Sequence, residues 1–185
     1  MKQNIEIEYK VIVSKEKFNA FLADAPITEE IYQTNFYYDT EDYQLYQAGV
    51  TLRIRQIEDS YYFTLKERAR HHSVEHEVMV SENSLSVLAT PTIANLLKKF
   101  NLTLPIQLVG ELSTCRKIYH DQYGEWCFDQ NFYSNTEDYE IEYELHEGIT
   151  NAFKHFLTVL RKYKIRYKKA PGKRYRCLFS HKSDN

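Results

Sequence analysis

The tetrapeptide Glu-Ile-Glu-Tyr occurs twice in the chain, at residues 6–9 and again at residues 140–143. Each copy lies in a longer run in which apolar and charged residues strictly alternate, and such alternation predicts a β-strand. Side chains two residues apart in a strand share one face and are about 6.6 Å apart along the chain. Two glutamates at that spacing can bind one cation, because hard divalent metals prefer carboxylate oxygens.

The two runs are predicted to carry charge on one face of each strand: Glu6, Glu8 and Lys10 in the first, and Glu140, Glu142 and Glu144 in the second. The alternative interpretation is the solvated face of an antiparallel sheet. Like charges on one face repel each other, and a surface strand would normally relieve that repulsion by mixing signs. The second run does not mix them, which favours a metal site but leaves the solvated face open.

Other predicted strands separate by the sign of their charge in the same way. Acidic faces also come from Glu75 and Glu77, and basic faces come from Arg53, Arg55, Lys66, Arg116, Lys173 and Arg176. A sheet that closes with these faces inward would enclose a charged lumen. Arginine binds phosphate through its planar fork, and Mg²⁺ prefers a few carboxylates together with phosphate oxygens. An open sheet with one solvated face explains the periodicity equally well.

Three helices are predicted between the strands. Ser14 is a candidate N-cap for the first, Thr90-Pro91 is a typical helix start for the second, and the third covers residues 151–164. A last short strand is predicted over Lys173–Phe179. Many antiparallel strands with a few short helices indicate the α+β class.

The net charge, the cysteines and the hydropathy of the chain restrict the function further. A formal net charge of −2 provides no general attraction for nucleic acid or membranes. The three cysteines, Cys115, Cys127 and Cys177, show no metal-binding spacing, and such a sparse set is typical of reduced thiols in a cytoplasmic protein. No apolar run is long enough for a signal peptide or membrane span. We therefore expect a cytoplasmic protein without a membrane partner.

Two further clusters have simpler explanations. The basic, tyrosine-containing run over residues 161–176 could contact nucleic acid, but its first part is better explained as the cationic end of a helix. Nucleic acid is therefore not the expected partner. His71, His72 and His76 are interpreted as surface histidines in preference to metal ligands.

Glu6-x-Glu8-x-Lys10 resembles the ExExK signature of the CYTH superfamily, also called triphosphate tunnel metalloenzymes. Further parts of that pattern follow in order: Phe36-Tyr37-Tyr38-Asp39-Thr40, Leu52-Arg53-Ile54-Arg55, Thr64-Leu65-Lys66, Glu75-x-Glu77, Arg116, Asp129, Glu140-x-Glu142-x-Glu144 and Gly172-Lys173. The resemblance covers nearly the whole chain and is strongest to small bacterial single-domain members of the YjbK type. Many relatives have Ser-Lys where this chain has Gly172-Lys173.

The resemblance implies a single CYTH domain over residues 1–185, built as an eight-stranded antiparallel β-barrel, or tunnel, that binds triphosphate compounds with Mg²⁺ or Mn²⁺. It implies phosphate binding by Lys10, Arg53, Arg55, Lys66, Arg116, Lys173 and Arg176. It implies metal binding by Glu6, Glu8, Glu140, Glu142, Glu144 and Asp129. Glu75, Glu77 and Lys66 are the expected catalytic residues, with the two glutamates orienting water or holding the arginines. Asp129 could equally be an arginine partner or a turn residue, and Arg116 could be a structural ion-pair partner.

The expected activity is metal-dependent hydrolysis of a triphosphate, with inorganic triphosphate as the first candidate substrate. The alternatives are thiamine triphosphatase, class IV adenylate cyclase, and a non-catalytic binder of polyphosphate or nucleotide. A thiazole or adenine ring would need an aromatic platform, for which Trp126, Tyr38 and Tyr61 are candidates. Core packing is the favoured explanation of these three residues. The protein is expected to be a monomer or a homodimer.

Overall fold

The computed structural model describes residues 1–179, which form nine β-strands, five α-helices and one 3-10 helix. The strands are β1 Lys2–Glu6, β2 Glu8–Val13, β3 Glu29–Asp39, β4 Val50–Ile57, β5 Ser60–Arg68, β6 Ser73–Val80, β7 Gln107–His120, β8 Gly124–Tyr133 and β9 Thr136–Leu145. The helices are α1 Lys15–Asp24, α2 Gln44–Gln47, the 3-10 helix Leu85–Ala89, α3 Pro91–Lys98, α4 Phe153–Lys162 and α5 Lys173–Phe179. None of these helices is long and apolar enough to span a membrane.

The strands form one antiparallel sheet in the order β1-β6-β5-β4-β3-β7-β8-β9-β2. This confirms the α+β class and the antiparallel sheet. The described residues contain nine strands, one more than the resemblance implied. The extra strand arises because the first alternating run is interrupted at Ile7, so that its two parts occupy opposite ends of the strand order.

The prediction of a strand over Lys173–Phe179 is wrong, because this segment is helix α5. Tertiary contacts determine its conformation. Arg174 donates to the carbonyl oxygen of Val50, and the helix packs closely on strand β7 at Gly110. A Cβ atom placed at Gly110 would lie 2.7 Å from Leu178 Cδ2 and 2.9 Å from Cys177 Sγ. A seven-residue run is too short for its pattern to distinguish a strand from a helix.

The chain divides into two compact units. Among the described residues, the first unit contains residues 1–5, 33–112 and 173–179, and the second contains residues 6–32 and 113–172. In the first unit, Leu52, Ile54, Phe63 and Leu65 are fully buried in a core that also includes Ile93 of helix α3. Strand β4 therefore buries Leu52 and Ile54, and Arg53 and Arg55 lie on its other face.

The core of the second unit is largely aromatic. Trp126 stacks on Tyr143 with ring centroids 4.2 Å apart, and Phe156 of helix α4 lies 5.6 Å from the same indole ring. Phe21 of helix α1 meets Phe128 edge-on at 4.8 Å. As predicted, Ser14 caps helix α1, accepting from the backbone N–H of Lys17. These contacts bury the apolar face of strands β2, β8 and β9, so their charged residues lie on the opposite face.

Candidate functional site

Strand register brings the charged residues of the second unit into rows. Arg116 on β7 lies opposite Asp129 on β8, and Asp129 lies opposite Glu140 on β9. Lys10 on β2 lies opposite Glu142 on the neighbouring strand β9. Directly opposed residues of antiparallel strands point to the same face. Charged side chains from four consecutive strands therefore share one face of this unit.

Three carboxylates from two of these strands form a compact cluster. Asp129, Glu140 and Glu142 each offer an oxygen atom, and these atoms all lie within 4.8 Å of one another. Asp129 and Glu140 are 0% exposed and Glu142 is 7% exposed. For these residues the solvated-face interpretation is wrong. Carboxylates are almost never buried this deeply unless they are paired or bind a metal.

Two cations hold the cluster in place. Arg116 donates from Nε to Asp129 Oδ1 at 2.7 Å, and from Nη2 to Asp129 Oδ2 and Glu142 Oε2, both at 2.6 Å. Lys10 Nζ lies 2.5 Å from Glu8 Oε1 and 3.3 Å from Glu142 Oε1. Glu142 is therefore bound from both sides. Arg116 has the carboxylate partners expected if it is a structural ion-pair residue.

The same contacts set the pKa values of the two cations. Burial by itself would lower the pKa of Lys10, but the charges of Glu8, Glu142 and Glu140 outweigh it and raise that pKa well above its usual range. Burial likewise opposes the charged form of Arg116, and Asp129 contributes most to raising its pKa. Both side chains are therefore positively charged at neutral pH.

The donor set of this cluster fits a hard divalent cation. The four carboxylates of Glu8, Asp129, Glu140 and Glu142, taken together with Lys10 and Arg116, carry a formal charge of −2 when all six groups are ionised. The ligand atoms that the cluster offers are all oxygens, as Mg²⁺ and Mn²⁺ prefer. Asp129, Glu140 and Glu142 are the residues that could hold such an ion.

The other predicted metal ligands occupy different positions. Glu8 is linked to the cluster through Lys10, and Glu144 lies opposite both Glu8 and Glu125 in the strand register. Glu6 is buried at the end of strand β1. Asp129 lies in the middle of strand β8, so the turn interpretation of this residue is wrong.

Sequence reasoning missed one residue of this face. Cys127 lies opposite Glu142, is 1% exposed, and places its Sγ atom 3.1 Å from Glu125 Oε1. Burial raises the pKa of its thiol well above the usual value. The signal was present in the sequence, because Cys127 precedes Asp129 by two positions and therefore shares its face.

The first unit has a charged face of its own, on strands β3 to β6. Arg53 Nη2 donates to Glu75 Oε1 at 3.0 Å, and Lys66 lies directly opposite Glu75 in the register. Arg55 Nε donates to Asn35 Oδ1 at 3.2 Å. Glu75 therefore has the contact expected of a residue that holds an arginine.

The remaining predicted residues of the first unit lie on the same strands or on helix α5. Glu77 lies opposite Thr64. Lys173, at the start of the helix, is near the buried phenol of Tyr37: burial raises the pKa of Tyr37, and the charges of Arg53 and Lys173 oppose that rise. Arg176, also on helix α5, is buried, with 7% of its surface exposed.

The candidate aromatic platforms and histidines have structural positions. Trp126 belongs to the core of the second unit, and Tyr38 and Tyr61 belong to or pack against that of the first, which confirms core packing. His76 lies 3.5 Å from Glu67. Within residues 1–179, the group of candidate metal ligands contains no histidine.

The chain is similar to known proteins in both sequence and fold. The chain matches the CYTH domain family over residues 4–170. It is 36% identical over 157 residues to a Bacillus subtilis protein, the proposed triphosphatase YjbK, a match that covers 80% of this chain and 83% of that protein.

Solved structures resemble it as well. A proposed adenylate cyclase from Bacillus halodurans is 29% identical, with a TM-score of 0.83 over 95% of this chain and 98% of the other. A proposed adenylyl cyclase from Hippeastrum, described as having a dominant triphosphatase activity, is 20% identical, with a TM-score of 0.74 over 95% of this chain and 96% of the other. The second likeness concerns the fold alone. On the sequence match and the ordered charged strands together, this chain belongs to the CYTH domain family.

Proposed function

We propose that this protein is a metal-dependent triphosphatase and that inorganic triphosphate is its substrate. The observation that carries the proposal is the buried cluster of Asp129, Glu140 and Glu142, whose excess negative charge suits a divalent cation. The relationship to the Bacillus subtilis protein named as a proposed triphosphatase supports the same reaction class.

In this proposal the carboxylate cluster holds Mg²⁺ or Mn²⁺, with Glu6, Glu8 and Glu144 as further acidic groups of the second unit. When bound, the cation supplies Lewis-acid stabilisation of the charge on the phosphate oxygens. Arg116 and Lys10 fix the carboxylates through the contacts described above, so that the ligands are already positioned before the cation binds. This arrangement reduces the reorganisation that binding would otherwise require.

Each unit carries cations on its charged face that are proposed to bind phosphate. Arg53, Arg55, Lys66 and Lys173 have this role in the first unit, with Arg176 as a further candidate, and Lys10 and Arg116 have it in the second. Phosphoryl transfer depends mainly on positioning and charge stabilisation, so a set of fixed cations is the principal contribution that a protein makes. Glu75 holds Arg53, and we propose that Glu77 and Lys66 act with it on the attacking water.

An adenylate cyclase is the second candidate, favoured by the likeness to the Bacillus halodurans structure. Cyclisation of ATP would require recognition of adenine. Of the three aromatic residues considered for that purpose, Trp126 and Tyr38 are 0% and 4% exposed and belong to the cores, and Tyr61 packs against the core of the first unit. This observation ranks the triphosphatase first.

The test is phosphate release from inorganic triphosphate, thiamine triphosphate and ATP, each with Mg²⁺, with Mn²⁺ and with excess EDTA. We expect metal-dependent release that is fastest from inorganic triphosphate. Products from ATP are separated chromatographically, so that cyclic AMP and pyrophosphate are detected directly.

Each alternative has its own outcome in this experiment. Cyclic AMP as the main product would establish the cyclase, and preference for thiamine triphosphate would change the substrate. Tight binding of triphosphate without release of phosphate would identify a non-catalytic binder. Full turnover in EDTA would contradict the metal site.

A further inference from the structure

Within the described residues 1–179, three buried polar atoms on the charged face of the first unit have no hydrogen-bond partner: Asn35 Nδ2, Arg53 Nε and Thr64 Oγ1. Asn35 is 1% exposed and Thr64 is 0% exposed. An unpaired buried polar group destabilises the fold, and native proteins retain few of them. Three such atoms on neighbouring strands therefore indicate that a partner binds there.

The chemistry of these atoms identifies the partner as a hydrogen-bond acceptor. Arg53 Nε carries a hydrogen and can only donate. Arg55 also only donates, so the Asn35 atom that receives its Nε–H must be the amide oxygen, which leaves the Asn35 NH₂ group as the free donor. The hydroxyl of Thr64 can donate as well. Two obligatory donors and a hydroxyl suit an oxyanion and repel a metal ion.

The positions of the three residues favour an extended anion. They lie on three adjacent strands, with Thr64 directly opposite Arg53, and Asn35 opposite Arg55 two positions further along. Adjacent strands are about 4.8 Å apart and alternate residues about 6.6 Å, so the Cα atoms of Asn35 and Thr64 are about 12 Å apart. A chain of linked phosphates can offer oxygens over that range more readily than one compact anion can.

We propose that Asn35 and Thr64 are specificity-determining residues that donate hydrogen bonds to the oxygens of a linear polyphosphate, beside Arg53. This inference rests on the proposed function for the identity of the substrate class. The lysines and arginines attract any anion through charge, whereas neutral donors form hydrogen bonds only with an anion whose oxygens reach them. Asn35 and Thr64 therefore help the protein to distinguish triphosphate from single phosphate.

The variants Thr64→Val and Asn35→Asp test this role. The first keeps the size of the side chain and removes the hydroxyl, and the second keeps an acceptor for Arg55 while replacing the free donor with an acceptor. Affinities for inorganic triphosphate, pyrophosphate and phosphate are measured by titration calorimetry in EDTA, and melting temperatures are measured without ligand. We expect triphosphate to bind at least roughly tenfold more weakly to each variant, with a smaller change for phosphate. The melting temperature of unliganded Thr64→Val should be unchanged or higher, because the substitution removes an unpaired buried group.

Thr40→Val is the matched control. Thr40 is also 0% exposed, but its hydroxyl donates to Asp42 at 2.6 Å and accepts from the backbone N–H of Gln44 at 2.9 Å. This variant should melt at a lower temperature and bind triphosphate as the wild type does.

The outcomes separate this inference from the proposed function. Wild-type triphosphate affinity in both Thr64→Val and Asn35→Asp would overturn the role of these residues and leave the triphosphatase intact. Binding that depends on Asn35 and Thr64 but is not followed by hydrolysis once Mg²⁺ or Mn²⁺ is added would overturn only the triphosphatase. A wild-type protein that binds none of the three anions, either in EDTA or with Mg²⁺, would overturn both.

Discussion

At the residue scale, the carboxylate of Glu142 is held between two cations. One of its oxygens faces Lys10 and the other accepts from Arg116, so both sides of the carboxylate are fixed. Glu140, one pair further along the strand and opposite Asp129, belongs to the same cluster. The two glutamates therefore share a proposed function but differ in what their charge contributes to stability.

Glu140→Gln and Glu142→Gln should each reduce triphosphate hydrolysis by at least about 100-fold, because a hard cation needs the charge that the amide lacks. Their effects on stability should differ. Glu142→Gln should lower the stability, because it weakens two charged hydrogen bonds, each worth about 1.5–3 kcal/mol. Glu140→Gln should lower the stability less, because it relieves repulsion between neighbouring carboxylates. Phosphate-release assays and urea unfolding of both variants check this. Full activity in both would remove the cluster from the mechanism.

Asp121, in the turn between β7 and β8, is a second residue with a concentration of contacts. It accepts from the Tyr143 hydroxyl at 2.6 Å, from Trp126 Nε1 at 2.9 Å and from the backbone N–H of Tyr123 at 2.8 Å, and His155 Nε2 lies 2.8 Å away. Burial opposes its charge, but these donors outweigh that effect and lower its pKa to about 2.

Because the folded pKa of Asp121 lies below the unfolded value of about 3.9, its ionised form stabilises the fold at pH 5 and above. That contribution, about 1–2 kcal/mol once solvent screening of this half-buried group is allowed for, is lost as the pH falls through about 2. The stability difference between wild type and Asp121→Asn should therefore shrink between pH 5 and pH 2.5, as measured by urea unfolding. Asp59→Asn, at an exposed position, is measured in parallel as the control for an aspartate-to-asparagine change. A difference that is constant over this range would contradict the shifted pKa.

At the scale of elements, helix α5 is attached to strands β3, β4 and β7 by a small number of side chains. Arg174 donates to the Val50 carbonyl, lies 3.7 Å from Asp39 and stacks its guanidinium 4.8 Å from the ring centre of Tyr46. Cys177 and Leu178, one turn further along the helix, lie close to Gly110 of strand β7, and the missing side chain of Gly110 allows this approach. The position of Lys173 depends on this attachment, because it is the first residue of the helix.

Arg174→Met keeps an unbranched apolar side chain but removes the guanidinium group with its charge and donors, so it should destabilise the first unit by about 2–3 kcal/mol. Arg166→Met, at an exposed position, is the matched control and should change stability by less than about 0.5 kcal/mol. Urea unfolding measures both. Equal stability of the two variants would show that α5 is held mainly by Cys177 and Leu178.

At the scale of the whole molecule, neither unit is a continuous stretch of chain. The first unit is assembled from three segments and the second from two. Strands β3 and β7 each contribute residues to both units, because the boundaries fall after residues 32 and 112. This interlaced chain path supports the expectation of a single domain.

We predict that the protein unfolds in one cooperative transition. Trp126, the only tryptophan, lies in the core of the second unit, so its fluorescence reports that unit, whereas far-UV circular dichroism reports the strands of both. The two signals should have the same midpoint in urea if the protein is a single domain. Midpoints that differ by more than the fitting error would show that the units unfold separately.

The sequence by itself determined the strand faces and the family. Alternation with a period of two is a local property of the chain, so it is sufficient to identify which residues share a face with Arg53, Lys10 and Glu142. The unpaired atoms of Asn35 and Thr64 were not foreseeable, because a missing partner is visible only once every neighbour has been placed.

Only the tertiary structure decided which of those charges meet. Asp129 joins Glu140 and Glu142 because the register of β8 and β9 aligns them, and register depends on pairing between distant segments. The interruption at Ile7 and the helical conformation of Lys173–Phe179 likewise depend on contacts with distant strands. Burial distinguishes the carboxylate cluster from a solvated strand face, because only the packed fold shows that these carboxylates are removed from solvent.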